Sequence, residues 1–231
     1  MILTLIRSEK READVTTLTF RPEQPVAWQA GQFLHYTLPH DSPDDRGIKR
    51  WFTIAAPPSG GEIKITTRIV ESQHRSTFKD ALSKMQPGDT VEAEAPEGDF
   101  VVEDSARNMI FIAGGIGITP YYAILAEAAA KGQQLKVHLL YANRTDDIVF
   151  QDEFAKFQQQ NPNLRIDYIV NPEQVDEQRL KQAIDGVDNP LVYVSGPEPM
   201  VEAMVPQLEG LGLSKENIKG DYFPGYQINL V

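Results

Sequence analysis

Near Asp104 the apolar residues of this chain change period, and that change constrains the fold more than any other feature. Before it, residues alternate over Asp14 to Phe20, Gln32 to Leu38 and Glu62 to Val70, with Pro, Gly and Asp clusters between, which is the pattern of short antiparallel strands. Such strands close into an antiparallel β-barrel or sandwich. One helix is expected near Ser76 to Lys84, with Ser76 as its N-cap and Phe78, Ala81, Leu82 and Met85 at helical spacing, plugging one end of the barrel. After the change, the apolar strands Met109 to Ala113, Leu135 to Tyr141, Leu164 to Val170 and Leu191 to Ser195 alternate with amphipathic segments. The helices are expected near Thr119 to Lys131, Phe150 to Gln159, Val175 to Ile184 and Glu198 to Gly210. That alternation is the signature of βαβ units and a parallel sheet. The joint at Asp104 to Asn108 is short and polar, so two closely packed domains are expected, residues 1–104 and 105–231.

Composition excludes several chemistries. The 231 residues contain no cysteine, which removes disulfides, thiolate metal sites, iron–sulfur clusters and cysteine nucleophiles, and no histidine spacing suggests a metal site. The formal net charge of −11 repels phosphate backbones and anionic lipid, so neither nucleic acid nor a membrane surface is an expected partner. The apolar run Met1 to Ile6 is too short for a signal peptide, and the expected location is cytoplasmic. Asn108 to Ala126 carries no charge and approaches the roughly 20 residues of a membrane span. Gly114, Gly115, Gly117, Thr119 and Pro120 divide it, however, into strand, turn and helix start, so no membrane insertion is expected.

Two segments could carry chemistry. The turn Ala113-Gly114-Gly115-Ile116-Gly117-Ile118-Thr119-Pro120 joins a strand to a helix, where glycines let backbone approach an anion and the helix start offers free N–H groups. It matches neither the G-x-G-x-x-G fingerprint nor the Walker pattern, and taken alone a plain tight connection also accounts for it. In Lys49-Arg50-Trp51-Phe52-Thr53-Ile54, strand alternation puts Arg50 and Phe52 on one face, a cation beside an aromatic ring. A guanidinium suits pyrophosphate and a ring suits a flat heterocycle, although an ordinary amphipathic strand reads the same way.

In this order and at this separation, the two segments resemble the ferredoxin–NADP reductase superfamily. Arg50-Trp51-Phe52-Thr53 is similar to its R-x-Y-[ST] flavin signature, and Gly114 to Pro120 to its G-G-x-G-x-T-P loop. Ala30-Gly31-Gln32-Phe33, Ser76-Thr77-Phe78, Pro87-Gly88-Asp89 and Pro96-Glu97-Gly98-Asp99-Phe100 resemble further family motifs in register. So do Ser195-Gly196-Pro197 with Met200, and Asp221-Tyr222-Phe223-Pro224-Gly225-Tyr226.

The resemblance implies an FAD-binding barrel followed by an NAD(P)-binding α/β domain, and an enzyme that passes hydride from NAD(P)H to flavin. It implies a catalytic set of Thr53, Ser195 and Phe223. Flavin would be bound by Arg50, Phe52, Thr53, Ile54, Thr67, Ser76, Thr77, Phe223 and Tyr226. The nucleotide would be bound by Gly114, Gly115, Gly117, Thr119, Pro120, Asn143, Arg144, Gly196, Pro197 and Met200. Electrons would leave to a separate acceptor, such as a ferredoxin, flavodoxin, free flavin or quinone. The alternative is an electron-transfer subunit of a larger complex, similar to the flavin subunit of dihydroorotate dehydrogenase but without its cluster cysteines. The sequence departs from the family at Phe52 for Tyr, Ser195 for Cys, Gln73 for Gly, Ala95 for Gly and Asp221 for Glu. Arg144 could meet a 2′-phosphate, but Asp146 and Asp147 oppose that charge, so NADH is the expected donor. The acid pairs Asp44-Asp45 and Asp146-Asp147 are expected in solvated turns.

Overall fold

The computed structural model describes residues 1–12, 14–69 and 76–223, with backbone alone at Phe223. The first half forms one antiparallel sheet of six strands: β1 (Ile2–Lys10), β2 (Val15–Pro22), β3 (Phe33–Thr37), β4 (Lys49–Thr53), β5 (Ile63–Arg68) and β6 (Thr90–Ala93). Their order is β4-β3-β6-β1-β2-β5. The two ends of the sheet meet where the Ala55 N–H donates to the Lys64 carbonyl (2.9 Å), which gives the sheet its barrel form. Strands β2, β3 and β5 lie where alternation puts them, and the Arg50–Phe52 segment forms β4. Strands β1 and β6 were not expected: half of β1 is exposed and breaks alternation at a bulge between Leu5 and Arg7, and β6 has only four residues.

Leu3, Leu5, Leu18, Phe20, Leu34, Tyr36, Ile63 and Ile65 fill the barrel. Helix α1 (Thr77–Lys84) closes one end with Phe78 and Leu82, and the Ser76 side chain accepts from the Lys79 N–H as the expected N-cap.

The second half is a parallel sheet of β7 (Asn108–Gly114), β8 (Lys136–Asn143), β9 (Leu164–Val170), β10 (Leu191–Pro197) and β11 (Ile218–Phe223), ordered β11-β10-β7-β8-β9. Helices α2 (Thr119–Ala130), α3 (Gln151–Gln160), α4 (Glu177–Ile184) and α5 (Glu198–Gly210) connect its strands. The apolar strands carry two alternating faces. Met109, Phe111 and Tyr193 pack with α2 and α3, while Ile110, Ile112, Val192 and Val194 pack with α4 and α5. The uncharged segment Asn108 to Ala126 becomes β7, a 3-10 turn (Gly115–Ile118) and most of α2, and no helix among the described residues is long and apolar enough to cross a membrane. Strand β11 was also missed, because Ile-Lys-Gly-Asp-Tyr-Phe has no apolar run; its pairing with β10 defines it.

The two sheets share core. Phe100 packs edge-on against Tyr121 (5.6 Å) and Tyr193 (5.3 Å), and the Tyr193 hydroxyl donates to the Val101 carbonyl (3.1 Å). Gly31 lies against the Phe100 carbonyl at φ +103°, where any Cβ would collide with that oxygen. Arg11, just after β1, donates to Glu153 of α3 (2.8 Å) and to Thr17 (2.8 Å) while lying over the Phe150 ring. The Ser59 N–H donates to Glu127 of α2 (2.9 Å). Phe100→Ala is expected to lower unfolding free energy by about 3–5 kcal/mol in urea titrations, as for a buried ring truncated in a core that cannot collapse.

Candidate functional site

Strand order runs outward from β7 in both directions, to β8 and β9 on one side and to β10 and β11 on the other. The carboxyl ends of β7 and β10 therefore flank a topological switch point, where open α/β sheets bind ligands. The Gly-rich turn leaves β7 there, and Ser195-Gly196-Pro197 ends β10 beside it.

The glycines of this crevice do different work. A Cβ on Gly114 would collide with Sδ of Met200, and one on Gly117 would collide with the Ser195 backbone. One on Gly196 would lie 3.1 Å from the same sulfur and 3.3 Å from Gly114. These three let the two strand ends touch. Gly115 differs: its φ is +52° and nothing lies within 4 Å of its Cβ position, so its backbone is open to an approaching group. Thr119 is buried and its hydroxyl donates to the Ile116 carbonyl (3.3 Å), while Pro120 sits in the first turn of α2. At the end of β8, Asn143 is half-buried and Arg144 exposed, next to exposed Asp146 and Asp147.

Ser195 is buried, and its hydroxyl lies toward the Asp221 carboxyl, on which it acts as a hydrogen-bond donor. Asp221 lies opposite it in the β10–β11 pair. Burial pushes the Asp221 carboxyl up to about 6, and Asp99 adds repulsion. In the sequence alone Asp221 stands out only as a departure from Glu. The Phe223 side chain, Gln73 and Tyr226 lie outside the described residues.

The turn after β7 comes within 8 Å of β5, Cα to Cα, so the crevice adjoins the barrel. On the barrel, the half-buried Arg50 and Phe52 lie together against the buried ring of Phe78. Phe52 meets Tyr36 edge-on at 5.8 Å and Phe78 at 6.0 Å, and the Arg50 guanidinium lies 5.6 Å from the Phe78 ring. Thr53, Ile54 and Thr67 are buried beneath.

Arg50 Nη1 donates to the carbonyls of Arg46 (2.8 Å), Gly47 (3.1 Å) and Lys49 (2.6 Å), and Nη2 donates to Asp44 Oδ1 (2.6 Å). Among the described residues its Nε is buried without a partner. Asp44 Oδ2 in turn accepts from the Thr77 N–H at the start of α1 (3.1 Å). Asp44 is thus bound into the barrel end rather than solvated in a turn, as its position in an acidic loop had suggested. A guanidinium, a helix start and the partly exposed ring of Phe52 are together a donor set that suits a flavin joined to a pyrophosphate.

Among known proteins, residues 111–205 match the family model described as "Oxidoreductase NAD-binding domain". The chain is 27% identical over 209 residues to the toluate 1,2-dioxygenase electron transfer component of Pseudomonas putida, covering 86% of this chain and 59% of that one. It spans little more than half the length of most curated relatives it matches. The FAD/NAD-binding domain of a nitric oxide dioxygenase from Vibrio cholerae superposes with TM-score 0.83 at 24% identity, covering 96% of this chain and 98% of that one. The ferredoxin–NADP+ reductase of Plasmodium falciparum superposes with TM-score 0.79 at 15% identity, covering 96% and 95%.

The Asp221 shift has a signed consequence. Its folded value of about 6 exceeds the ordinary 3.8, so the folded state binds the extra proton and stability from this group falls as pH rises from about 4 to 6. Asp221→Asn should remove up to about 3 kcal/mol of that pH dependence, read as the difference between wild-type and variant urea midpoints across the range.

Proposed function

We propose that this chain, with an oxidoreductase NAD-binding domain on the two-domain fold of the ferredoxin–NADP reductases, is an FAD-dependent reductase that takes hydride from NAD(P)H and passes electrons to a separate acceptor. The observation that carries this reading is the junction of the two sites: the switch-point crevice, with the open backbone of Gly115, adjoins the barrel that bears Arg50 and Phe52.

When bound, FAD accepts a hydride and releases its electrons singly or in pairs. The protein's part is binding, orientation and exclusion of water. Arg50, Ser76 and Thr77 would hold the pyrophosphate, and Phe52 would pack on the flavin ring. Thr53 would offer its hydroxyl at the reactive edge over the dry floor made by Ile54 and Thr67. Gly115 and the start of α2 would receive the nucleotide diphosphate, held in register by Gly114, Gly117, Gly196, Pro197 and Met200. Ser195 would face the nicotinamide, with Asp221 behind it; the roles expected of Phe223 and Tyr226 fall on a side chain and a residue outside the described part of the chain. Asn143 and Arg144 would meet the adenosine ribose.

The Pseudomonas relative is an electron transfer component, which supports a separate acceptor here. The exposed cation Lys49 is already paired with Glu94 (2.9 Å), which disfavours a strongly acidic partner. The carboxylates beside Arg144 favour NADH over NADPH.

Purified protein is expected to be yellow and to bleach without air on adding NADH, more slowly with NADPH; a colourless chain that FAD cannot reconstitute overturns the reading. Gly115→Val should weaken NADH binding roughly tenfold or more, in titrations of the quenched nucleotide fluorescence, by filling the open backbone face. Gly117→Ala should instead lower the melting temperature, since its methyl meets the β10 backbone.

A further inference from the structure

The donors assigned to the flavin pyrophosphate already hold an anion. Arg50 Nη2 and the Thr77 N–H both donate to the Asp44 carboxylate, at 2.6 and 3.1 Å, and the Arg46 N–H adds a third bond at 3.0 Å. Burial alone would raise the Asp44 carboxyl, yet Arg50 and the N–H groups of Thr77 and Arg46 hold it down to about 2, so it is charged throughout the working pH range. A phosphate oxygen cannot accept the same protons while the carboxylate stays.

The surrounding contacts decide what Asp44 does there. Arg50 does not need it for position, because three backbone carbonyls hold Nη1 and the Phe78 ring lies beside the guanidinium. Nor does the loop need the carboxylate for attachment, because the Asp44 N–H donates separately to Thr77 Oγ1 (2.9 Å). His40 Nδ1 faces the Leu38 carbonyl (2.7 Å) and so donates to it; in the neutral ring this leaves Nε2 to accept from the Thr77 hydroxyl (3.0 Å). The side chain is therefore free to turn away while its backbone remains tied to α1.

Resting on the flavin reading above, we propose that Asp44 is an internal anion that occupies the pyrophosphate donors and is exchanged for pyrophosphate when FAD binds, so that this residue sets the affinity for flavin. The exchange replaces one anion by another on the same guanidinium and helix start. Net affinity is then the difference between two similar charge-assisted sets rather than the full strength of either.

The test strips flavin from the full chain and titrates FAD by fluorescence quenching into wild type, Asp44→Asn and Asp44→Ser. Serine keeps a hydroxyl for the Thr77 N–H should the asparagine fold poorly. Both variants are expected to bind FAD about tenfold more tightly, the worth of one charge-assisted hydrogen bond no longer surrendered. Riboflavin, which has no phosphate, should bind as it does to wild type. The flavin-free variants should melt a few degrees lower, having lost the internal pair. Unchanged or weaker FAD binding by both variants overturns the exchange while leaving the flavin reading intact, and equal tightening for riboflavin overturns it too. Failure of every form, wild type included, to bind FAD overturns the flavin reading and the exchange with it.

Discussion

Everything in the α/β half depends on two strand ends being able to touch. At the carboxyl ends of β7 and β10 the backbones approach so closely that Gly114, Gly117 and Gly196 tolerate no side chain, and the sulfur of Met200 fills what space is left between them. This contact fixes where the turn after β7 points and where α2 begins. It buries Ser195 and leaves Gly115 as the open position of the turn. A parallel sheet alone offers a crevice at its switch point; the missing side chains give the crevice its depth.

The residue pattern revealed this architecture unevenly. Strands of the parallel sheet that are buried on both faces announce themselves as apolar runs, and α5 begins and ends where its periodicity says. Strands β1, β6 and β11 were hidden because what makes them strands is pairing rather than composition. β11 exists because β10 offers it a ladder from Ile218 to Phe223, and β6 because β1 and β3 lie either side of it.

The candidate site followed the same division. Arg50, Phe52 and the glycines stood out through residue type and spacing. Asp44 did not, because an aspartate in an Asp- and Pro-rich loop looks solvated until the fold brings Arg50 and Thr77 onto it. Asp221 was legible only as a letter differing from a family pattern. Its raised carboxyl is a product of burial that no local signal encodes. Long-range electrostatics was thus the part least visible, since it depends on which distant groups share a cavity.

The wedge formed by Phe100 bears on how such chains are recombined. Its ring belongs to the core of the α/β half, between Tyr121 and Tyr193, while its own carbonyl presses on Gly31 of the barrel. A crossover placed in the polar joint at Asp104 would inherit the wedge from one parent and its socket from another. For modular exchange among chains of this shape, the transferable unit is therefore the α/β half together with the segment from Phe100 and the face of Gly31 that receives it.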